Sequence, residues 1–207
     1  MRAGRVSRSR SLSPSARAFT LVELVVVIAI GLLLVVATIP AIGPMMESRD
    51  LAQGGQMIVD QIVTARQLAS ARNTTVEVCL VKLDQGAAGY SGIELRTFDA
   101  SGTAVTLFPL SPLPRGICIA EAARLSPLLR LPGMGGGVLR AGGASVPYVS
   151  FKVRSSGVVE PILSGADRAK LYFTLVLARQ VSGDTLPSNF ILVQLNPDSG
   201  SPFIYRP

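Results

Sequence analysis

Glu23 is the only ionisable side chain between positions 19 and 42, in the run FTLVELVVVIAIGLLLVVATIPAI. A carboxylate within a lipid-facing helix costs about 2.5–3.5 kcal/mol at the helix centre on insertion scales, so it calls for a partner or for water at the headgroup level. One cut would supply a partner. Ala18 stands at the junction between a basic leader and the apolar run, and cleavage after it would free the α-amino group of Phe19, one helical turn from Glu23. A neighbouring chain could offer its own amine to the same carboxylate, so that two groups costly to bury alone neutralise each other during assembly. The residues alone leave both readings open, a paired Glu23 and a solvated one. The other reactive types offer less. Histidine is absent, which removes the commonest general base and nitrogen metal ligand. Ser155 and Ser156 precede Gly157 without a G-x-S-x-G elbow, and a Ser–Lys dyad with Lys152 or Lys170 rests on spacing alone. Cys79 and Cys118 permit a disulfide; closing a loop of about 38 residues would contribute roughly 3–4 kcal/mol. The alternative for the pair is two small buried thiols.

The element that must position Glu23 is the apolar run itself. About 24 residues at about 1.5 Å each reach roughly 36 Å, enough to cross a hydrocarbon core of about 30 Å. A conventional secretory signal has a shorter apolar region followed by its small-residue cleavage site. Here the small residue comes first, so processing would leave the helix on the mature protein. Pro40 lies inside the run, where its missing N–H and its ring would kink or locally melt the helix.

The formal charge of +7 sits mostly in the leader. Residues 1–18 hold Arg2, Arg5, Arg8, Arg10 and Arg17 and no acid; the 15 remaining basic residues face 13 acids, a balance of +2. The sign suits a cytoplasmic flank under the positive-inside rule, and it argues against a nucleic-acid-binding face on the remainder. At 207 residues with 48% hydrophobic content, the chain has room for one folded head.

Residues 43–73 continue as an amphipathic helix. Leu51, Ile58, Ile62, Ala65 and Ala69 recur at one-face spacing, Gly54 and Gly55 weaken its start, and Asn73 is a suitable stop. From Thr75 the period changes to two. Strand-like runs follow at 76–80, 93–97, 104–108, 116–120, 149–153, 171–177 and 190–195, with 202–207 as an edge strand. A helix followed only by strands predicts an α+β head, residues 74–207, with a mainly antiparallel sheet packed on the helix. Residues 124–147, rich in Gly and Pro, satisfy neither phosphate-loop motif and read as a flexible loop or irregular hairpin.

Ala18-Phe19-Thr20-Leu21-Val22-Glu23-Leu24 followed by an apolar run resembles the class III signal of type IV prepilins and type II secretion pseudopilins. The resemblance implies a pilin-like fold, cleavage between Ala18 and Phe19 by a prepilin peptidase, methylation of the Phe19 amine, and a Glu23 that guides subunit addition to a filament. It also implies a helix-bending role for Pro40. Ala18 stands where the family usually has Gly, which implies slower processing without its loss, and the leader is longer than in many type IV pilins. Residues 61–79 look like the helix-to-first-strand junction of the GspH/FimT class of minor pseudopilins, and residues 149–157 are similar to that class's strand and glycine turn; the middle of the chain is unmatched.

The leading expectation is a structural subunit. It would sit in the bacterial inner membrane with its leader cytoplasmic and its head periplasmic, partnered by prepilin peptidase, other pilin or pseudopilin subunits and the membrane, and it would need no cofactor, metal or catalytic residue. A DNA-binding minor pilin would need several of Arg140, Lys152, Arg154, Arg168, Lys170, Arg179 and Arg206 on one face. A single-pass anchored enzyme or binding module would instead keep residues 1–18.

Overall fold

The structure, a computed structural model, describes residues 19–84 and 89–207, and the side chains of residues 37–44 are not among those described. The basic leader, with Ala18, lies outside the described residues. The chain divides into an N-terminal unit ending at Gly43 and a head unit, Pro44–Pro207.

Helix α1 (Leu21–Ala71) contributes to both. It opens on a capping box. Thr20 donates its backbone N–H (2.9 Å) and its hydroxyl (3.0 Å) to Glu23 Oε2, and the Glu23 N–H donates to Thr20 Oγ1 at 3.2 Å. Two of the N–H groups that a helix start leaves without partners are thereby satisfied. The far end closes as a Schellman motif. Asn73 takes a left-handed φ of 47°, Thr74 N–H donates to Ala69 O at 3.0 Å, and Asn73 N–H donates to Ser70 O at 3.3 Å. The helix thus ends where the left-handed tolerance of asparagine predicts.

In the head, β1 (Val76–Val81), β2 (Gly89–Tyr90), β3 (Gly92–Phe98), β4 (Ala104–Pro112), β5 (Ile117–Ala120), β6 (Gly135–Ala141), β7 (Ala144–Val153), β8 (Val159–Glu160), β9 (Tyr172–Leu177), β10 (Phe190–Leu195) and β11 (Pro202–Tyr205) form two antiparallel sheets. One is ordered β4-β3-β1-β7-β6, with β8 against β7; the other is β11-β10-β9-β5-β2. The α+β expectation therefore holds, with two sheets in place of one.

Leu51, Ile58, Ile62, Ala65 and Ala69, the predicted stripe, are all fully buried. They share one core cluster with Val78, Leu80 and Phe151 of the first sheet and Phe173, Leu175, Ile191 and Val193 of the second. Gly54 and Gly55 are seats for that packing. A Cβ on Gly55 would stand 3.0 Å from Ile191 Cδ1, and one on Gly54 would stand 3.3 Å from Ile117 Cγ2. Helix propensity is lost, by about 1 kcal/mol per glycine, and close approach to the second sheet is gained.

Within residues 124–147, read as a flexible loop or irregular hairpin, the hairpin is found, and it is regular. β6 and β7 pair from Gly135↔Ser150 to Ala141↔Ala144 in a regular ladder. The turn is Gly142-Gly143, at φ +56° and +85°. Two left-handed residues in a two-residue loop match the twist of the flanking strands, which is why glycine-glycine makes a tight hairpin here. β4, at the edge of its sheet, carries Pro109 and Pro112 and two register shifts against β3, devices that blunt an open edge. β11 lies at the edge of the second sheet, as expected for the C-terminal residues.

Candidate functional site

The N-terminal unit presents apolar surface almost without interruption. Phe19 is 80% exposed, and Leu21, Leu24, Ile28, Leu32 and Val36 are exposed behind it. Surface of this kind on a helix calls for lipid or for other helices. Among the described residues no helix is long and apolar enough to cross a membrane, and positions 37–42 of the apolar run fall where side chains are not described. The helix assignment continues unbroken through Pro40.

Glu23 is the charged residue on this surface, and the capping box explains its orientation. Its Oε2 receives both Thr20 donors, which turns the carboxylate toward the helix start, one turn from the backbone of Phe19. A carboxylate there also lies at the positive end of the helix dipole. The sequence reading singled out Glu23 for its charge and missed Thr20; the T-x-x-E spacing was the available signal.

Of the two readings open for the cysteines, the structure takes the buried thiols. Cys79 and Cys118 are free, not bridged. Cys79 on β1 packs with Val81, Leu139 and Val146, whereas Cys118 on β5 packs with Ala120, Leu125 and Val176. The two belong to separate clusters on different sheets. Burial, assisted by the charge of Glu77, pushes the Cys79 thiol up to about 12, and burial with Glu121 pushes Cys118 up to about 11. Both are inert structural thiols by these measures.

A polar cluster also lies on the side of β1 away from Val78 and Leu80. Glu77 and Arg96 are opposite each other across β1 and β3. They pair at 2.9 Å with both side chains nearly closed to solvent. Ser150 Oγ donates to Glu77 Oε1 at 2.6 Å. The Arg96 guanidinium lies 4.5 Å from the Tyr148 ring centroid. The period-two alternation places Glu77 off the core face; it does not reveal that Arg96 of β3 and Ser150 of β7, the strands on either side of β1, engage its carboxylate there.

The basic residues weighed for DNA binding are largely spent within the head. Arg154 pairs with Glu160, Arg168 with Asp198, Lys170 with Asp167 and Arg179 with Glu47. Arg206 donates to Ser48, and Lys152 sits over the Phe98 ring. The lysines that a Ser–Lys dyad with Ser155 or Ser156 would use are thus engaged elsewhere.

Residues 14–39 match the family described as the prokaryotic N-terminal methylation motif. The amino-terminal segment is therefore of the prepilin type, as its residues suggested. No curated protein matches the chain. Among solved structures the chain is similar to the type IV minor pilin FimU of Pseudomonas aeruginosa (strain PAO1), at 12% identity, covering 79% of this chain and 92% of that one, with a TM-score of 0.41.

Proposed function

We propose that this chain is a minor pilin-like structural subunit, processed between Ala18 and Phe19 by a prepilin peptidase, methylated on the Phe19 amine and assembled into a type II secretion or type IV pilus-like filament. The observation that carries the reading is the join within one 26-residue motif, 14–39, of a small-residue junction, a capped Glu23 and an exposed apolar helix face. The same motif supports a subunit held in the inner membrane by residues 19–42 before assembly, with the leader cytoplasmic and the head periplasmic. In the filament, neighbouring helices would cover the apolar residues, and a neighbour's Phe19 amine would meet Glu23. Pro40 would let the helix bend as it packs. The charge pairing in the head supports this structural role over a nucleic-acid one, because phosphate binding needs unpaired cations gathered on one face.

The test is intact mass and N-terminal sequencing of the chain from membranes of cells with and without a prepilin peptidase. A peptidase-dependent start at Phe19 carrying a methyl group is the expected result. A chain that keeps Met1 in both strains overturns the reading.

A further inference from the structure

β11 ends the second sheet with its outer edge open. Its ladder decides which peptide groups line that edge. Asn196 N–H donates to Ser201 O at 2.9 Å, whereas Leu195 N–H donates to Leu171 O at 2.7 Å on the other side of β10. Alternation along an antiparallel strand then turns Gln194 and Leu192 toward β11, where they face Phe203 and Tyr205 as hydrogen-bonded pairs. The peptide groups between them turn the opposite way. The open side of β11 therefore presents the Pro202 C=O, the Ile204 N–H and C=O, and the Arg206 N–H.

The side chains leave this edge uncovered. Phe203 is 60% exposed, Ile204 43% and Tyr205 59%, and Pro202–Tyr205 carries no charge. The Arg206 side chain donates to Ser48 of α1, which ties down the end of the strand. The other edges are blunted. β4 has its prolines and register shifts, β2 is two residues long, and β6 opens on three glycines that weaken pairing. An apolar edge without such protection is a template for another strand.

We infer that the strand it receives is β11 of a second copy, paired antiparallel about a two-fold axis at Ile204. In that register the strand is complementary to itself. Each Ile204 N–H would donate to the second copy's Ile204 C=O, and each Arg206 N–H to the second copy's Pro202 C=O. Proline costs the pair only the bond that the Arg206 C=O would have accepted. Phe203 of each copy would stand directly opposite the other's Tyr205 in the closer, non-hydrogen-bonded kind of pair, which favours aromatic contact. Like charges stay apart, because the two Arg206 residues would be separated by four residues of extended chain, roughly 13 Å, against a Debye length of about 10 Å. A four-residue pairing falls short of the roughly 1,000 Å² of a standing interface, so the contact is weak and reversible. Two-fold symmetry closes it at two copies, so it joins two chains and cannot itself extend a filament.

The test is sedimentation equilibrium of the full-length chain in density-matched detergent, with variants at the two exposed aromatic positions. The parent chain should dimerise as its concentration rises. Phe203→Lys/Tyr205→Lys sets like charges opposite each other and should weaken the dimer about tenfold or more, whereas Phe203→Glu/Tyr205→Lys sets opposite charges there and should hold it near the parent level. Association through the apolar helices would be equal in all three. A disulfide gives a second readout. Differently tagged Phe203→Cys and Tyr205→Cys copies, mixed and oxidised, should yield a linked pair carrying both tags, because residues opposite in a close pair lie about 4.5 Å apart at Cα, within disulfide reach. Either copy alone should not link, its twin lying about 7–8 Å away on the diagonal. A parent chain that stays monomeric, a Lys/Lys variant that associates as well as the parent, a Glu/Lys variant as weak as Lys/Lys, or a mixture that gives no doubly tagged pair overturns the inference. None of these readouts depends on where the chain is cut, so the prepilin reading stands or falls separately.

Discussion

Glu77 on β1 and Arg96 on β3 stand opposite each other in register and pair at 2.9 Å, with side-chain exposures of 5% and 10%. Each partner is the main compensation for the other's lost hydration. Removing one strands the other, at about 3–5 kcal/mol for a buried pair, whereas replacing both with apolar residues of similar size is often neutral. Glu77→Leu and Arg96→Met should each lower unfolding stability by about 3 kcal/mol, and the double variant Glu77→Leu/Arg96→Met should recover most of that loss. Urea denaturation of the four chains measures the coupling. Additive losses in the double variant would mean that the pair is solvated.

The hairpin beside that pair makes a sharper case. A Cβ on Gly135 would stand 2.3 Å from Ser150 Oγ and 3.2 Å from Glu77 Oε1. An alanine must push the hydroxyl off the carboxylate or open the β6–β7 ladder. Gly135→Ala should therefore cost about 2 kcal/mol, from a displaced buried hydrogen bond together with overpacking. Gly102→Ala offers a contrast, since nothing lies within 4 Å of a Cβ there and only its φ of +82° is strained. The comparison is again made by urea denaturation, and equal costs at the two sites would sink the steric account.

This hairpin also marks where the sequence stops being legible. Val78 and Leu80, and the stripe from Leu51 to Ala69, announce themselves because period two and period 3.6 are local properties of a chain with one buried face. Asn73 is legible for the same reason, since its tolerance of a left-handed φ is intrinsic. Gly135 to Gly137 read as a loop because glycine has no side chain to show a period. Their strand is imposed from outside, by Ser150, Glu77 and the Tyr148 ring, which fill the space that side chains would take. Gly54 and Gly55 look like flaws in a helix until Ile117 and Ile191 are seen against them. The cysteines show the same limit, because an even count permits a bridge but does not place two strands in the same cluster. In the N-terminal segment Glu23 was legible from its cost in an apolar run, and Thr20 became visible as its partner only through geometry.

Cys79 and Cys118, raised to about 12 and about 11, tie stability to alkaline pH. An unfolded thiol titrates near 8.5. Between that value and about 11 the unfolded chain gives up protons that the folded chain keeps. The stabilisation is complete below about pH 8.5 and falls as pH rises, by at most about 1.4 kcal/mol per pH unit for each thiol. Stability measured from pH 8 to 10.5 should decline more steeply in the parent chain than in Cys79→Ala/Cys118→Ala. A thiol-specific reagent should find two reactive groups in denaturant without reductant and almost none in the folded chain. Finding none in denaturant would restore the disulfide.

Thr20 and Glu23 invite a separation of charge from cap. On the proposed assembly, the negative charge of Glu23 would meet a partner's amine, and its Oε2 also closes the first turn of α1 through Thr20. Glu23→Gln keeps a carbonyl oxygen for the Thr20 donors and loses the charge. Thr20→Val keeps the charge and the shape and loses the hydroxyl, at about 1 kcal/mol of local helix stability on the usual capping scale. If the charge guides assembly, Glu23→Gln should be processed at Phe19 yet accumulate in the membrane and drop out of the filament fraction, while Thr20→Val should be incorporated at a reduced level. Immunoblots of membrane and sheared-filament fractions, with N-terminal sequencing of each, read both effects. Normal incorporation of Glu23→Gln alongside failure of Thr20→Val would assign the role of the motif to holding the helix start, and the pairing of Glu23 with a neighbour's amine would have to be given up.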